Sequence, residues 1–184
     1  MKTRSVIFPY ILCALFAALT AVCSQIMIPL PFTPIPINLA LMAVWVCGGV
    51  LGWKKGAIAV LVYILLGAVG VPVFAGFNAG LGALAGPTGG FIIGYLPSVI
   101  LMGLLAEGSE KRNYFFAAIR GLPAMAVCYA FGTGWFMITT GVGLLSALVM
   151  CVVPFIPGDV LKVIAAAVIC KALRKPLSSM LRSR

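Results

Sequence analysis

The chain has 184 residues, of which 63% are hydrophobic and only 9% are charged. A soluble domain of this size could not cover its surface with so few charges, so the composition excludes a soluble protein. Apolar runs of about twenty residues predict membrane-spanning helices and not a β-barrel, whose strands would be about ten residues long. The chain is therefore predicted to be an all-α integral membrane protein.

The formal net charge of +10 raises the question of nucleic-acid binding, but the positions of the basic residues argue against it. All 13 Lys and Arg residues except Lys162 lie at or near the ends of apolar segments, on one side of the predicted membrane. This is the positive-inside pattern, which orients helices and contacts anionic lipid head groups. We expect the lipid bilayer to be a partner and nucleic acid not to be one.

The first predicted helix, Val6–Ile28, is longer than the apolar core of a signal peptide, so we expect it to be retained. It carries small residues in two rows that repeat every four positions. Ala14 and Ala18 form one row, and Ala17 and Ala21 form the other. Such rows let a second helix approach closely in lipid. From spacing alone, that helix could belong to a partner protein or to this chain.

Two irregular segments without charge follow helices 1 and 3 on the predicted outer side. Residues 29–36 contain four prolines and are expected to form a turn, because proline cannot continue a helix. Residues 70–90 contain seven glycines together with Phe74 and Phe77. Irregular backbone persists at a membrane where it is buried or lines a polar cavity, and glycine lets backbone approach a ligand closely. We therefore interpret this second segment as a lid or pocket wall and not as a plain outer loop.

The other predicted helices complete a single domain, residues 1–184, that crosses the membrane six times with both termini cytoplasmic. Residues 139–155 fall short of the ~20 residues that a span needs, so we expect a short outer helix or a re-entrant segment there. The predicted helices 2 to 6 are Ile37–Leu51, Ala57–Val69, Gly89–Ala106, Tyr114–Ile138 and Gly158–Arg174, with an inner turn at residues 107–113.

The most informative stretch is residues 153–162, which places Asp159 and Lys162 inside a hydrophobic segment. Residues three apart lie on one face of a helix and can touch. An isolated charge in hydrocarbon is costly, so charges kept there are usually paired, face a polar cavity and serve a function. One interpretation is that the two merely neutralise each other and anchor helix 6. We favour a ligand pocket, with Asp159 at the first helical turn, where the helix dipole stabilises an anion.

Three passages resemble the BioY family, the biotin-capturing S components of energy-coupling factor (ECF) transporters. They are LFAALTAV at residues 15–22, GVPVFAGF with LAGPTGGF across residues 70–91, and PFIPGDVLK at residues 154–162. The GPTGG and PGDxxK passages in this order are specific. The likeness covers nearly the whole chain, because the order and length of the segments also fit.

The resemblance implies six helices and a pocket near the outer surface, walled by the segments after helices 1 and 3. It implies that Asp159 and Lys162 contact the vitamin, and that Ala14 and Ala18 meet an ECF coupling transmembrane subunit. Active uptake then requires that subunit and two ATPase subunits, because this chain has no Walker motif. The family points to a bacterial cytoplasmic (inner) membrane, with biotin as the transported ligand and no cofactor.

Two positions depart from the family pattern. Many relatives have a glutamine where this chain reads Leu39-Ala40, and Asn38 is the nearest polar substitute. Where relatives often have Gly or Arg, the glycine-rich segment has Asn78. We expect these changes to alter individual contacts and the affinity more than the identity of the vitamin.

Biotin needs partners for its planar ureido group, an apolar wall for its bicyclic ring and a cationic or N–H-rich site for its carboxylate. Asp159 can accept hydrogen bonds from the ureido N–H groups, and Lys162 is the one cation predicted inside the membrane. A few convergent polar groups fix the orientation of a ligand in a mostly apolar pocket. The other residues expected to bind biotin are Asn38, Asn78, Phe74, Phe77, Tyr63 and Tyr95, with Thr88 nearby.

Three rival functions belong to other classes. A secondary carrier would use Asp159 as a proton site, but the chain has no histidine to extend a relay, and no inverted repeat is visible. An intramembrane enzyme would need catalytic groups, whereas the six cysteines are scattered without a CxxC pair and predict no metal site. A purely structural membrane subunit would need no pocket.

Overall fold

The computed structural model describes the backbone of residues 2–107 and 114–182, and the side chains of residues 7–106 and 121–173. The predicted inner turn therefore lies almost entirely outside the described residues. The elements of the described part are α1 Lys2–Gln25, β1 Met27–Leu30, β2 Thr33–Asn38, α2 Ala40–Ala68, a 3₁₀ helix Ala75–Phe77, α3 Leu81–Ala85, α4 Gly89–Glu107, α5 Tyr114–Thr140, α6 Leu144–Cys151 and α7 Ile156–Arg182.

The helices are long and apolar enough for a protein that crosses a membrane several times. Within the described residues, α1, α2, α4 and α5 each meet the length and hydropathy expected of a span. A fifth span results when α6 and α7, which are bent by 51° at a short break, are counted together. The chain is therefore a mostly helical, multi-pass membrane protein, as the composition predicted.

The α2 helix folds back on itself at Gly52, whose backbone has φ 78° and ψ 178°. In a straight helix, residues eight apart are separated by about 12 Å along the axis. A Cβ added at Gly56 would instead lie 3.2 Å from the Cα of Gly48. The two halves, residues 40–51 and 53–68, are therefore antiparallel neighbours. They correspond to the predicted helices 2 and 3, joined by a tighter turn than expected.

The α4 helix packs against this hairpin at very short range because small residues line the contact. A Cβ at Gly103 would lie 2.4 Å from the backbone nitrogen of Trp53. Polar contacts extend the packing to α5: the Trp45 indole N–H donates to Ser98 Oγ at 3.2 Å, and Ser98 donates to the Ala124 carbonyl at 2.7 Å. The two antiparallel halves of α2, together with α4 and α5, thus form the centre of the helical core.

The proline-rich segment is a β-hairpin and not a simple turn, so the prediction of an all-helical chain missed it. Met27 pairs with Asn38 and Leu30 pairs with Thr33 in an antiparallel ribbon. Proline is tolerated there because both strands of a two-stranded ribbon are edges, where a missing N–H need not break the pairing. Because the ribbon begins at Met27, α1 ends at Gln25 and not at Ile28 as expected.

The last two helices follow the predicted order with different bounds. The region expected as an outer or re-entrant segment contains α6, and α7 begins at Ile156 and not at Gly158. Asp159 lies in the first turn of α7, as predicted, and its backbone N–H donates to the Phe155 carbonyl at 2.8 Å. The start of α7 therefore places Asp159 and Lys162 in the first two turns of this helix.

Replacement of Gly52 by alanine tests the antiparallel fold of the two halves of α2. Its φ of 78° with an extended ψ is a conformation that essentially only glycine adopts, so Gly52→Ala should lower stability by about 1–3 kcal/mol. The measurement is the thermal unfolding midpoint of the purified protein in detergent. Gly134→Ala is the matched control, because it lies inside α5 with open space around an added Cβ. Equal unfolding midpoints for the two variants would contradict the backbone conformation given for Gly52 at the fold of α2.

Candidate ligand-binding site

A cavity of about 700 Å³ lies between the β-hairpin, the glycine-rich segment and helices α2, α4, α5 and α7. Its size is within the range of pockets that hold small organic ligands. The wall is mostly apolar, and its polar groups come from different elements of the fold. The two charged residues come from α7, whereas the aromatic residues come from several elements, among them Tyr63 on α2, Tyr95 on α4 and Tyr129 on α5.

Asp159 and Lys162 face the cavity as a buried ion pair. The Lys162 ammonium lies 2.6 Å from Asp159 Oδ1, so the predicted contact between residues three apart on one helix is present. Their side chains are almost completely buried within the protein. Each charge compensates the desolvation of the other, and removal of one would leave the other buried and unpaired.

Tyr129 is a third member of this cluster that the sequence analysis missed. Its hydroxyl donates to Asp159 Oδ2 at 2.6 Å, so α5 and α7 are joined through the same carboxylate. One oxygen of Asp159 is bonded by Lys162 and the other by Tyr129. Because each carboxylate oxygen has two lone pairs, Asp159 keeps acceptor capacity for a ligand N–H group. A tyrosine thirty residues upstream in an apolar helix carries no sequence signal for this role.

An aromatic wall stands on the α2 and α4 side of the cavity. The rings of Tyr63 and Phe74 meet edge to face, with centroids 5.6 Å apart and an interplanar angle of 78°. Tyr95 also lies beside Tyr63, at a centroid distance of 6.4 Å. Phe74 is held in place by Gly67, where an added Cβ would lie 2.1 Å from the ring. These three predicted residues therefore form one continuous surface.

Three predicted polar residues also line the cavity: Asn38, Asn78 and Thr88. Asn38 Oδ1 accepts the Ala40 backbone N–H at 3.1 Å, at the start of α2, and its side chain also hydrogen-bonds Tyr95 in the aromatic wall. Asn78 donates through Nδ2 to the Ala75 carbonyl at 2.8 Å, which leaves its side-chain oxygen available as an acceptor. Both amides are thus oriented by the backbone around them.

Phe77 does not lie in the cavity wall for which the sequence predicted it. Its side chain is 71% exposed and does not line the cavity. Gly76 and Phe77 both have positive φ, 70° and 58°, and this left-handed turn directs the Phe77 ring away from the cavity. Such a conformation is uncommon for a residue with a Cβ, and the alternation of Phe and Gly in the sequence did not predict it.

The cavity also has lining residues that the sequence analysis did not select. The β-hairpin contributes Met27 and Ile35, and Phe155, the residue directly before α7, also lines the cavity. A wall from the segment after helix 1 was implied by the family resemblance, but its form as paired strands and the part played by Met27 were not predicted. Apolar residues in a membrane protein give no signal of their own that would separate a pocket wall from ordinary core.

The two small-residue rows of α1 have different surroundings. Ala17 is buried in the core, whereas Ala14 and Ala18 are exposed, and none of them lines the cavity. The second row therefore packs within this chain. The first row remains open on the outside of the helix bundle.

Comparisons with known proteins agree on one family. The BioY family model matches residues 1–179. A protein of Thermotoga maritima named "Biotin transporter BioY" is 38% identical over 162 residues, which cover 88% of this chain and 92% of the relative. A protein of Rhizobium etli with the same name is 37% identical over 183 residues, which cover 94% of each chain.

The fold matches a solved structure of the same kind, the crystal structure of the S-component for biotin from an ECF-type ABC transporter. The TM-score is 0.88 at 30% sequence identity, and the match covers 95% of each chain. Because the family model spans almost the whole sequence and the fold agrees over the same length, this chain belongs to the BioY family.

Proposed function

We propose that this chain captures biotin with high affinity and serves in its uptake across the cytoplasmic membrane, as the substrate-binding S component of an ECF transporter. The observation that carries the proposal is the cluster of Asp159, Lys162 and Tyr129 at one end of a cavity with an aromatic wall. The relatives named as biotin transporters and the matched structure of a biotin S-component support the same ligand. The chain acts as a transport protein and not as an enzyme.

The chemistry of biotin fits this cavity. Its bicyclic ring is apolar and rigid enough to lie against Tyr63, Phe74 and Tyr95. Asp159 supplies an acceptor for ureido N–H groups, and Lys162 supplies ammonium donors for a ligand oxygen. The amide and hydroxyl groups that line the cavity add further partners around the ligand. Because the ion pair is neutral as a whole, it binds by oriented hydrogen bonds more than by net charge. We propose biotin as the transported ligand, with no cofactor.

We propose six crossings by a single domain, residues 1–184, with both termini on the cytoplasmic side of a bacterial inner membrane. The fold of α2 at Gly52 supports the count, because it divides this helix into two antiparallel halves that correspond to the predicted helices 2 and 3. Lys54 and Lys55 follow this turn, whereas residues 26–39, 70–88 and 139–158 contain no Lys or Arg. By the positive-inside rule those three segments lie outside, so the cavity they border opens outward.

Active uptake requires partner proteins, because the chain has no motif for ATP hydrolysis. We propose that the exposed Ala14–Ala18 row on α1 contacts the coupling transmembrane subunit, which in turn works with two ATPase subunits. Small residues at a helix surface let a second helix approach closely in lipid, where there is no hydrophobic driving force between helices. The row lies away from the cavity, so ligand and partner can be bound at the same time.

Removal of either charge should weaken biotin binding. Asp159→Asn or Lys162→Ala leaves its former partner buried and uncompensated, so we expect at least a tenfold rise in Kd, or about 1.4 kcal/mol. The measurement is equilibrium binding of biotin to the purified protein in detergent, with lipoate as the ligand control. Wild-type affinity in both variants, with the fold intact, would remove the ion pair from the site.

Removal of the Tyr129 hydroxyl should have a smaller effect in the same direction. Tyr129→Phe keeps the ring but leaves Asp159 Oδ2 without its donor, so we expect Kd for biotin to rise about three- to tenfold, near 1 kcal/mol. Titration calorimetry of the two proteins measures the difference. Tyr10→Phe is the control because Tyr10 is exposed on α1 and is not among the residues that line the cavity. Identical affinities for the two variants would count against Tyr129.

Bulky residues on the α1 row should block uptake without affecting capture. Ala14→Leu and Ala18→Leu should lower biotin uptake at least tenfold in cells that express the complete transporter, while Kd of the isolated chain stays unchanged. The matched controls are Ala126→Leu and Ala130→Leu, an exposed pair with the same spacing on α5. If all four substitutions affect uptake equally, the α1 row has no special role.

A further inference from the structure

We propose that Gln25 is a positioning residue that holds one wall of the cavity in place, so that its side-chain amide determines how long a bound ligand is retained. This inference rests on the proposed function, in which that ligand is biotin. Gln25 is the last residue of α1 and the only glutamine in the chain. It does not line the cavity, so any effect on the ligand acts through other residues.

The amide of Gln25 binds both ends of one short turn. Its Nε2 donates to the Phe74 carbonyl at 3.0 Å, and its Oε1 accepts the Phe77 backbone N–H at 3.0 Å. The neighbouring Ser24 hydroxyl donates to the Val73 carbonyl, just before the turn. The end of α1 therefore satisfies three backbone groups of a segment that lies about fifty residues away in sequence.

The turn needs external support because its backbone conformation is unfavourable. Phe77 is the only residue other than glycine with positive φ in the described part of the chain. The side chain of Phe77 is exposed, so packing cannot hold it in this conformation. Within the turn, the Phe74 N–H donates to the Asn78 carbonyl at 3.1 Å. The Gln25 amide provides two further hydrogen bonds, one at each end of the turn.

The turn positions two residues of the proposed site. Phe74 precedes it and places its buried ring against Tyr63, and Asn78 follows it with its amide at the cavity. The far end of the glycine-rich segment is held separately, because the Trp135 indole N–H donates to the Gly86 carbonyl at 3.1 Å. Loss of the Gln25 amide should therefore loosen the turn while the other end of the segment stays attached.

Two substitutions at Gln25 test this role. Gln25→Leu has nearly the same size and removes both hydrogen bonds to the turn, together with the Nε2 bond to Ser24 Oγ. Gln25→Glu keeps an acceptor for Phe77 but sets a carboxylate against the Phe74 carbonyl. We expect each variant to release biotin at least tenfold faster, or about 1.4 kcal/mol. In the ligand-free protein, backbone hydrogen exchange at Phe77 should also become faster in Gln25→Leu, which removes its acceptor. Thr139→Val is the control, because it removes exposed side-chain bonds to α5 backbone, far from the turn in sequence.

The two readouts separate this inference from the proposed function. Faster release in both Gln25 variants and faster exchange at Phe77 in Gln25→Leu, with the control unchanged, would support the positioning role. Unchanged release rates in folded variants would overturn it, even if exchange became faster. A wild-type protein that binds no biotin would instead refute the proposed function. If the wild-type protein binds no biotin, hydrogen exchange still tests whether Gln25 stabilises the turn. Unchanged exchange at Phe77 in Gln25→Leu would show that it does not, and faster exchange would show that it does.

Discussion

The buried ion pair between Asp159 and Lys162 is the constraint on which the rest of the site depends. Two charges inside a membrane protein persist only when they compensate each other and their remaining hydrogen-bonding groups are satisfied. Tyr129 meets part of that requirement from α5, so the relative position of α5 and α7 is tied to a single carboxylate. In the proposed biotin site, this cluster would offer oriented groups without a net charge.

The first helix links several parts of the molecule. Its exposed alanine row lies on the outside of the bundle, its Ala17 side packs into the core, and its last residues bind the turn beside the cavity. The surface proposed for a partner and the residues that bond to the turn therefore belong to one helix.

Much of the helical pattern followed from the sequence, and the irregular segments did not. Helix α4 begins at Gly89 as predicted, and Asp159 lies in the first turn of α7 as predicted. The β-hairpin at residues 27–38 was missed because prolines normally argue against paired strands. They are acceptable here because both strands of a two-stranded ribbon are edge strands. Phe77 was assigned to the wall because residue type reveals an apolar side chain but not a left-handed turn that directs it outward.

The sequence by itself determined that the chain lies in a membrane and that Asp159 and Lys162 meet. Hydropathy needs no tertiary information, and residues three apart on a helix are neighbours in any fold. Only the tertiary structure decided that Tyr129 completes the charged cluster, that Gln25 bonds to the turn beside the cavity and that Ala14 and Ala18 stay exposed. The bonds of Tyr129 and Gln25 join residues about thirty to fifty positions apart in the sequence. The exposure of Ala14 and Ala18 depends on which face of α1 the other helices leave uncovered. Helix packing decides both.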